Sequence, residues 1–273
     1  MGLLIPAPRA YSQEFNYSGR PAVTWGTTLT GSATPHALPA SPTQVTASTA
    51  YDADWVKITI HATAVAATVT DSLINIYLGG AGAEVLFIPN LVAGWGADLG
   101  TDVPHVYQFP VRITRGVRIS ADLRNLIPSD TAQLMIDLYQ TNGALWSGAG
   151  VDQVGAVTAS SRGTTVTPGA ASEGTFTTLG TTNRLWRYVL PVIMSNSDTT
   201  QVTDSGDMDI GTAGALIHGL EHFQTAYSSS ERDMSYDGMG RWVEIASGTS
   251  LDARIQDLGA DIEAKSVICY GVY

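Results

Sequence analysis

Cysteine is nearly missing from this 273-residue chain, in which Cys269 stands alone. That excludes an intrachain disulfide framework and any cysteine-ligated zinc centre. Lysine is almost as scarce: Lys57 and Lys265 are the only two among 14 basic residues. Charged side chains make up 14% of the chain, against about 25% in an ordinary globular domain. No apolar run approaches the ~18 residues that a membrane-spanning helix needs. The opening Met1-Gly-Leu-Leu-Ile-Pro-Ala-Pro-Arg9 has neither the basic stretch nor the long apolar stretch of a signal peptide. Membrane insertion is therefore not expected. Nucleotide-binding and serine-hydrolase signatures are missing too. Gly79-Gly-Ala-Gly82 lacks the Lys-Ser/Thr that completes a phosphate-binding loop, and no Gly-x-Ser-x-Gly occurs.

Positive charge is sparse in another sense. The net charge is −11, and basic residues gather only at Arg112, Arg115 and Arg118. A groove that tracks phosphates needs a basic stripe, so no nucleic-acid partner is expected. What fills the sequence is apolar residues, at 44%, together with glycine, alanine, serine and threonine. That is too apolar for a disordered chain and suits thin β-layers with many turns. Scarce lysine has two readings: a surface largely covered by partners, since interfaces favour Arg over Lys, or a coding bias.

The chain reads as one module written twice. Gly26-Thr-Thr corresponds to Gly163-Thr-Thr, Trp55 to Trp186, and the glycines at Gly79 to those from Gly211. Gly116 to Leu126 corresponds to Gly248 to Leu258, and Tyr139 to Tyr270, at nearly equal spacings. The matched residues are those a fold requires. What drifts is polar: Arg118 opposes Ser250, Asp122 opposes Arg254 and Glu84 opposes Leu216. Alternating runs such as Val56 to Ala62 and Leu134 to Tyr139 predict strands with one buried face, and prolines and glycines punctuate the rest. The expected fold is all-β: two tandem antiparallel β-sandwiches, jelly-roll-like, from an internal duplication. An extended N-terminal arm covers 1–22, unit one 23–140, a Gly/Ala/Ser-rich linker 141–162 and unit two 163–273. Leu3, Leu4 and Ile5 at the tip of the arm are candidate oligomer contacts. Cys269, in an apolar strand, reads as a small buried hydrophobe.

Several polar groupings have residue types found in binding or catalytic sites. His218-Gly-Leu-Glu-His222 has the spacing of an inverted zinc-peptidase motif, with Glu244 or Glu263 as possible third ligands. The chemistry needs both imidazoles on one helical face, yet Gly219 interrupts the helix and unit one has Pro89 in the corresponding stretch. Two histidines on a loop is the favoured reading. Asp204, Asp207 and Asp209 could offer oxygens to calcium, but an ordinary acidic hairpin explains them as well. No metal, cofactor or catalytic residue is assigned, and enzymatic activity is not expected. Trp55 and Trp186, recurring in both units, are expected in the core. Trp25, Trp95, Trp146 and Trp242 suit subunit packing or, alternatively, sugar stacking. Asp233, Tyr236, Asp237 and Trp242 are the glycan candidates.

Leu73-Ile-Asn-Ile-Tyr-Leu-Gly-Gly-Ala-Gly-Ala-Glu-Val-Leu-Phe-Ile-Pro-Asn-Leu91, followed by Pro110-Val-Arg-Ile-Thr-Arg-Gly-Val-Arg-Ile-Ser-Ala-Asp122, resembles virion proteins of tailed bacteriophages and of gene-transfer agents. The resemblance spans most of unit one and, more loosely, unit two. It implies a structural role as a head spike, decoration or tail-fibre component, and brings no ligand residues. The function so expected is non-enzymatic. The protein would be a symmetric homo-oligomer in contact with other virion proteins, assembled in the bacterial cytoplasm. The alternative is a carbohydrate-binding adhesin module that recognises a host-surface glycan.

Overall fold

The computed structural model describes residues 13–15, 26–62, 70–95, 104–125, 127–141, 145–157, 162–170, 172–195, 204–227, 234–235, 240–257 and 264–273. Everything structural below concerns those residues. They form an all-β molecule of twenty strands with no helix. Sheet I runs β1 (Gln13–Phe15), β9 (Thr131–Tyr139), β4 (Trp55–Ala62), β7 (His105–Phe109), with β2 (Thr27–Thr30) also on β9. Sheet II runs β3 (Thr43–Thr46), β8 (Ile119–Asn125), β5 (Thr70–Leu78), β6 (Val85–Trp95). In sheet III, β10 (Val151–Val154) and β11 (Thr164–Val166) both pair with β20 (Lys265–Val272), followed by β14 (Tyr188–Ser195) and β18 (Met234–Ser235). In sheet IV, β12 (Gly169–Ala170) and β13 (Thr177–Thr181) pair with β19 (Ser250–Asp257). Next comes β15 (Asp204–Thr212), which carries β16 (Ala215–Leu216) and β17 (Phe223–Tyr227). All named pairings are antiparallel except β12 with β19.

Sheets I and III share one strand order, and so do II and IV. Register makes the correspondence residue by residue. Ala121 pairs with Thr43 and Ile76, as Ala253 pairs with Thr177 and Ile210. Gly26 and Gly163 both have positive φ, and a Cβ on either would press on backbone of the neighbouring strand, at Leu134 and at Val267. That close approach explains the two Gly-Thr-Thr anchors. Two anchors are corrected: Leu216 lies opposite Gly211 as Leu86 lies opposite Tyr77, so neither Glu84 with Leu216 nor Gly79 with Gly211 is a true pair, and the tryptophans do not match either. The bridge Ala53–Ile113 is matched by Trp186–Ile245, and Trp55 lies opposite Tyr139 as Tyr188 lies opposite Val272. Trp186 therefore occupies the place of Ala53, and Tyr188 that of Trp55. Trp186 is fully buried, whereas Trp55 is half-buried at the rim of the first core. A period-two pattern fits equally well after a slip of two residues, which is how the sequence alignment went astray.

The exchange is compensated in part, bulk gained at one place being removed at its neighbour. Beside Trp186 is Gly271, where a Cβ would lie 1.8 Å from an indole carbon. At the equivalent places unit one has small Ala53 and large Leu138, both buried.

The two sandwiches are not separate bodies on a linker. In β14, Tyr188, Leu190, Val192 and Met194 belong to the core of unit one, while Val189 and Ile193 belong to that of unit two. In β20, Ile268, Tyr270 and Val272 face unit one, and Val267 and Cys269 face unit two. The central strands β14 and β20 are thus buried on both faces, which is why Tyr188 to Met194 reads as an unbroken apolar run whereas β4 alternates. Part of the expected linker, Val151–Val154, is a strand of this sheet. Of the expected arm, residues 13–15 pair with β9 of their own unit; Leu3, Leu4 and Ile5 lie outside the described residues.

Unit two docks where sheets I and II of unit one part company, between β6 and β7. The outward backbone of β6 would be left unpaired there, and three side chains take it up. The Tyr270 hydroxyl donates to the Asn90 carbonyl (2.7 Å) and accepts the Val92 N–H (3.2 Å). The Tyr107 hydroxyl donates to the Val92 carbonyl at 2.5 Å. His105 Nε2 stands 2.6 Å from the Gly94 carbonyl and 3.3 Å from Gly94 N. The shorter contact assigns the proton to Nε2, donating to the carbonyl. Burial pushes the His105 imidazole down to about 4, so it is neutral near pH 7.

Two outcomes follow from this packing. Gly271→Leu alone overpacks Trp186 and costs about 1–3 kcal/mol. Combined with Trp186→Ala, which restores the Ala/Leu arrangement of unit one, it costs less than the two single changes added together. Chemical denaturation of the four proteins measures that coupling. Because its folded pKa lies below its unfolded value, His105 costs stability as pH falls from about 6.5 toward 4. The difference amounts to on the order of 3 kcal/mol. In denaturation midpoints across that window, His105→Gln is expected to flatten the decline; an unchanged slope would refute the assignment.

Candidate binding sites on the second unit

Each unit turns its chain through left-handed backbone at one place on its outer sheet, held by a polar side chain from β5 or β15. In unit one Asn90 has φ 47° and its N–H donates to Asn75 Oδ1 at 2.8 Å. In unit two His222 has φ 56° and its N–H donates to Asp209 Oδ1 at 3.0 Å. Left-handed backbone at a non-glycine residue is tolerated because that side-chain oxygen satisfies the turned N–H. Around this shared device the chemistry diverges. Asp122 in unit one accepts from Asn75 Nδ2 (3.0 Å) and the Tyr77 hydroxyl (2.6 Å), and Arg124 bonds the Asn90 amide oxygen. Burial pushes the Asp122 carboxyl up, against those hydrogen bonds. In unit two Arg254 replaces Asp122. Its Nε and Nη2 donate to Asp209 Oδ2 at 3.0 and 2.9 Å, and its Nη1 lies 2.6 Å from Glu173 Oε2. Its guanidinium covers Phe176, at 4.8 Å. Phe176 in turn lies over Gly211, where a Cβ would come within 2.6 Å of the ring.

Beside this knot Asp207, Asp209 and His222 bring one ligand atom each within 4.8 Å of one another. Sequence reasoning missed the grouping because the two aspartates lie in β15 and His222 in the connection just before β17. Two carboxylates and an imidazole could bind a divalent ion, but Arg254 already neutralises buried Asp209. His222 Nδ1 lies 2.7 Å from Asp207 Oδ2. The acidic run is not the turn that the sequence suggested: Asp204 to Asp209 lie within β15, and the turn falls at Ala213 and Gly214, both with positive φ. The Asp204 side chain lies outside the described residues. Nor do His218 and His222 face one another on a helix. Exposed His218 stands 3.1 Å from Glu221 Oε1, and the segment from Leu216 forms short strands and a turn.

A second grouping lies at the seam between the units. Trp55, Tyr188, Trp242 and Trp146 form a chain of edge-to-face contacts with centroid separations of 6.1, 5.3 and 6.0 Å. Three of these tryptophans looked unrelated by sequence position; folding joins them. Trp55 Nε1 donates to Gln108 Oε1 at 3.3 Å. The Tyr188 hydroxyl accepts the Gly240 N–H at 2.7 Å, and any Cβ on Gly240 would strike the Tyr188 ring. Trp242 is 44% exposed. The Arg187 guanidinium lies 5.7 Å from the Trp146 ring centre and pairs with Glu244 at 3.8 Å. Of the other glycan candidates, Asp233, Tyr236 and Asp237 lie outside the described residues, as do Trp25 and the side chain of Trp95.

No family model matches the sequence, and no curated protein matches it. Among solved structures, PNGF-II aligns over 92% of this chain and 64% of its own, with 11% identity and a TM-score of 0.37. An empty particle of cowpea mosaic virus, the top component, aligns over 90% of this chain and 88% of its own, with 9% identity and a TM-score of 0.39. Likenesses this loose carry no functional inference. No helix among the described residues is long and apolar enough to cross a membrane.

The hydrogen bond that the His222 imidazole donates to Asp207, with the nearby carboxylates, raises it above its ordinary value. Its stabilising effect is full below about pH 6.5 and fades as pH rises through the folded pKa. An NMR titration should place the His222 midpoint above the ordinary imidazole value of about 6.5 and return it toward that value in Asp207→Asn. Equal midpoints in both proteins would show that the contact does not hold in solution.

Proposed function

We propose that this chain is a non-enzymatic structural subunit of a phage-like particle, built from a duplicated sandwich and assembled as a symmetric homo-oligomer. The observation that carries this reading is a pair of matched apolar hairpins. Leu86 and Leu216 hold the same place in the two units, opposite Tyr77 and Gly211. They are 49% and 40% exposed, and adjacent Val85 is 68% exposed. Large apolar side chains left in water at equivalent points suit contacts with further copies or other virion proteins. The fused halves set the distance between the two tips. The second reading, an adhesin that binds a host-surface glycan, is favoured by one observation: the partly exposed Trp242 at the seam.

Mass photometry of the purified protein is expected to show a single closed oligomer. Leu86→Glu with Leu216→Glu, and separately deletion of residues 1–12, which leaves β1 on β9, should shift it toward monomer with little change in melting temperature. Monomers of the unaltered protein at micromolar concentration would refute the assembly role.

A further inference from the structure

We infer that the seam between the units binds a neutral saccharide, with Trp242 as the stacking surface and Arg187 and Glu244 as hydrogen-bonding partners for its hydroxyls. The inference rests on the adhesin reading and gives that reading a site. Trp242 is held in edge-to-face contact with two rings, Tyr188 at 70° and Trp146 at 78°. An indole fixed in this way loses little freedom when a ligand covers its open part. Its exposure is not a demand of the fold. Register places Trp242 where unit one has Pro110, three residues before the bridge residue Ile113 as Trp242 precedes Ile245, and Pro110 is buried. Pyranose rings offer an apolar C–H face to such an indole, while their hydroxyls need planar, bidentate partners around it.

Arg187 and Glu244 meet that second need. They are only loosely paired at 3.8 Å, with side chains 48% and 68% exposed. Each therefore keeps donors or acceptors for a ligand at small cost in lost pairing. The choice of a neutral glycan follows from charge. The guanidinium and carboxylate cancel one another, and the chain carries −11 overall, so sialylated or phosphorylated glycans are repelled at long range.

The test is binding of the full-length protein to an array of immobilised neutral and acidic oligosaccharides, followed by titration of the best neutral hit. Unaltered protein is expected to bind neutral glycans. Trp242→Ala should weaken binding at least tenfold, and Arg187→Ala with Glu244→Ala, on an exposed rim where folding is insensitive, at least fivefold. Melting curves identify a Trp242→Ala protein that has merely unfolded, and the rim variant then decides. Neutral-glycan binding untouched by both variants would overturn this site while leaving the adhesin reading standing. A preference for acidic glycans would overturn the neutral assignment. No glycan binding at all would remove both.

Discussion

The outward backbone of β6 is the constraint on which the molecule depends. A strand at the edge of a sheet leaves N–H and C=O groups that must be paired, hydrated or covered. Here they are covered by the apolar face of sheet III, so water cannot reach them, and Tyr270, Tyr107 and His105 supply the missing partners. Burial and capping require each other. Docking without the hydroxyls would strand buried amides, and the hydroxyls without docking would compete with solvent for little gain. Tyr270 serves both ends, since its ring also meets Tyr107 at 5.8 Å and Phe109 at 6.0 Å, edge-on.

Around that junction the two units differ by compensated exchanges. Volume moves from Leu138 to Trp186 and is vacated at Gly271. The Tyr77 ring has its counterpart in Phe176, brought by a loop over Gly211. Charge is inverted where Asp122 becomes Arg254, and the partner changes with it from Asn75 to Asp209. In each case the backbone device is retained and only its occupant differs.

Much of the fold was legible because strands with one buried face announce themselves by alternation, as β4 and β9 do. The glycines were legible where the backbone requires them: Gly26 and Gly163 against a neighbouring strand, Gly116 and Gly248 at matched turns. Register was not, because inside–outside alternation looks the same after a shift of two, which misaligned Trp55 and Tyr139. The shared core was not legible either. The double burial of β14 is written in its apolar run, but what covers the second face is a partner far off in sequence. For the same reason the seam aromatics and the Asp207–His222 contact appear only once distant strands meet. The acidic run of β15 was mistaken for a turn, since aspartate disfavours strands until a partner such as Arg254 lies across from it.

At β14 and β20 sheet III has no solvent-facing side to spare, being an inner wall of both sandwiches at once. The separation between the hairpin at Leu86 and the one at Leu216 is thus fixed by interlocked side chains and not by a tether. A neighbour that grips one hairpin and displaces it strains the common wall, and that strain reaches the other hairpin. In a closed ring or shell, each subunit would pass mechanical stress from one neighbour to the next through its own interior.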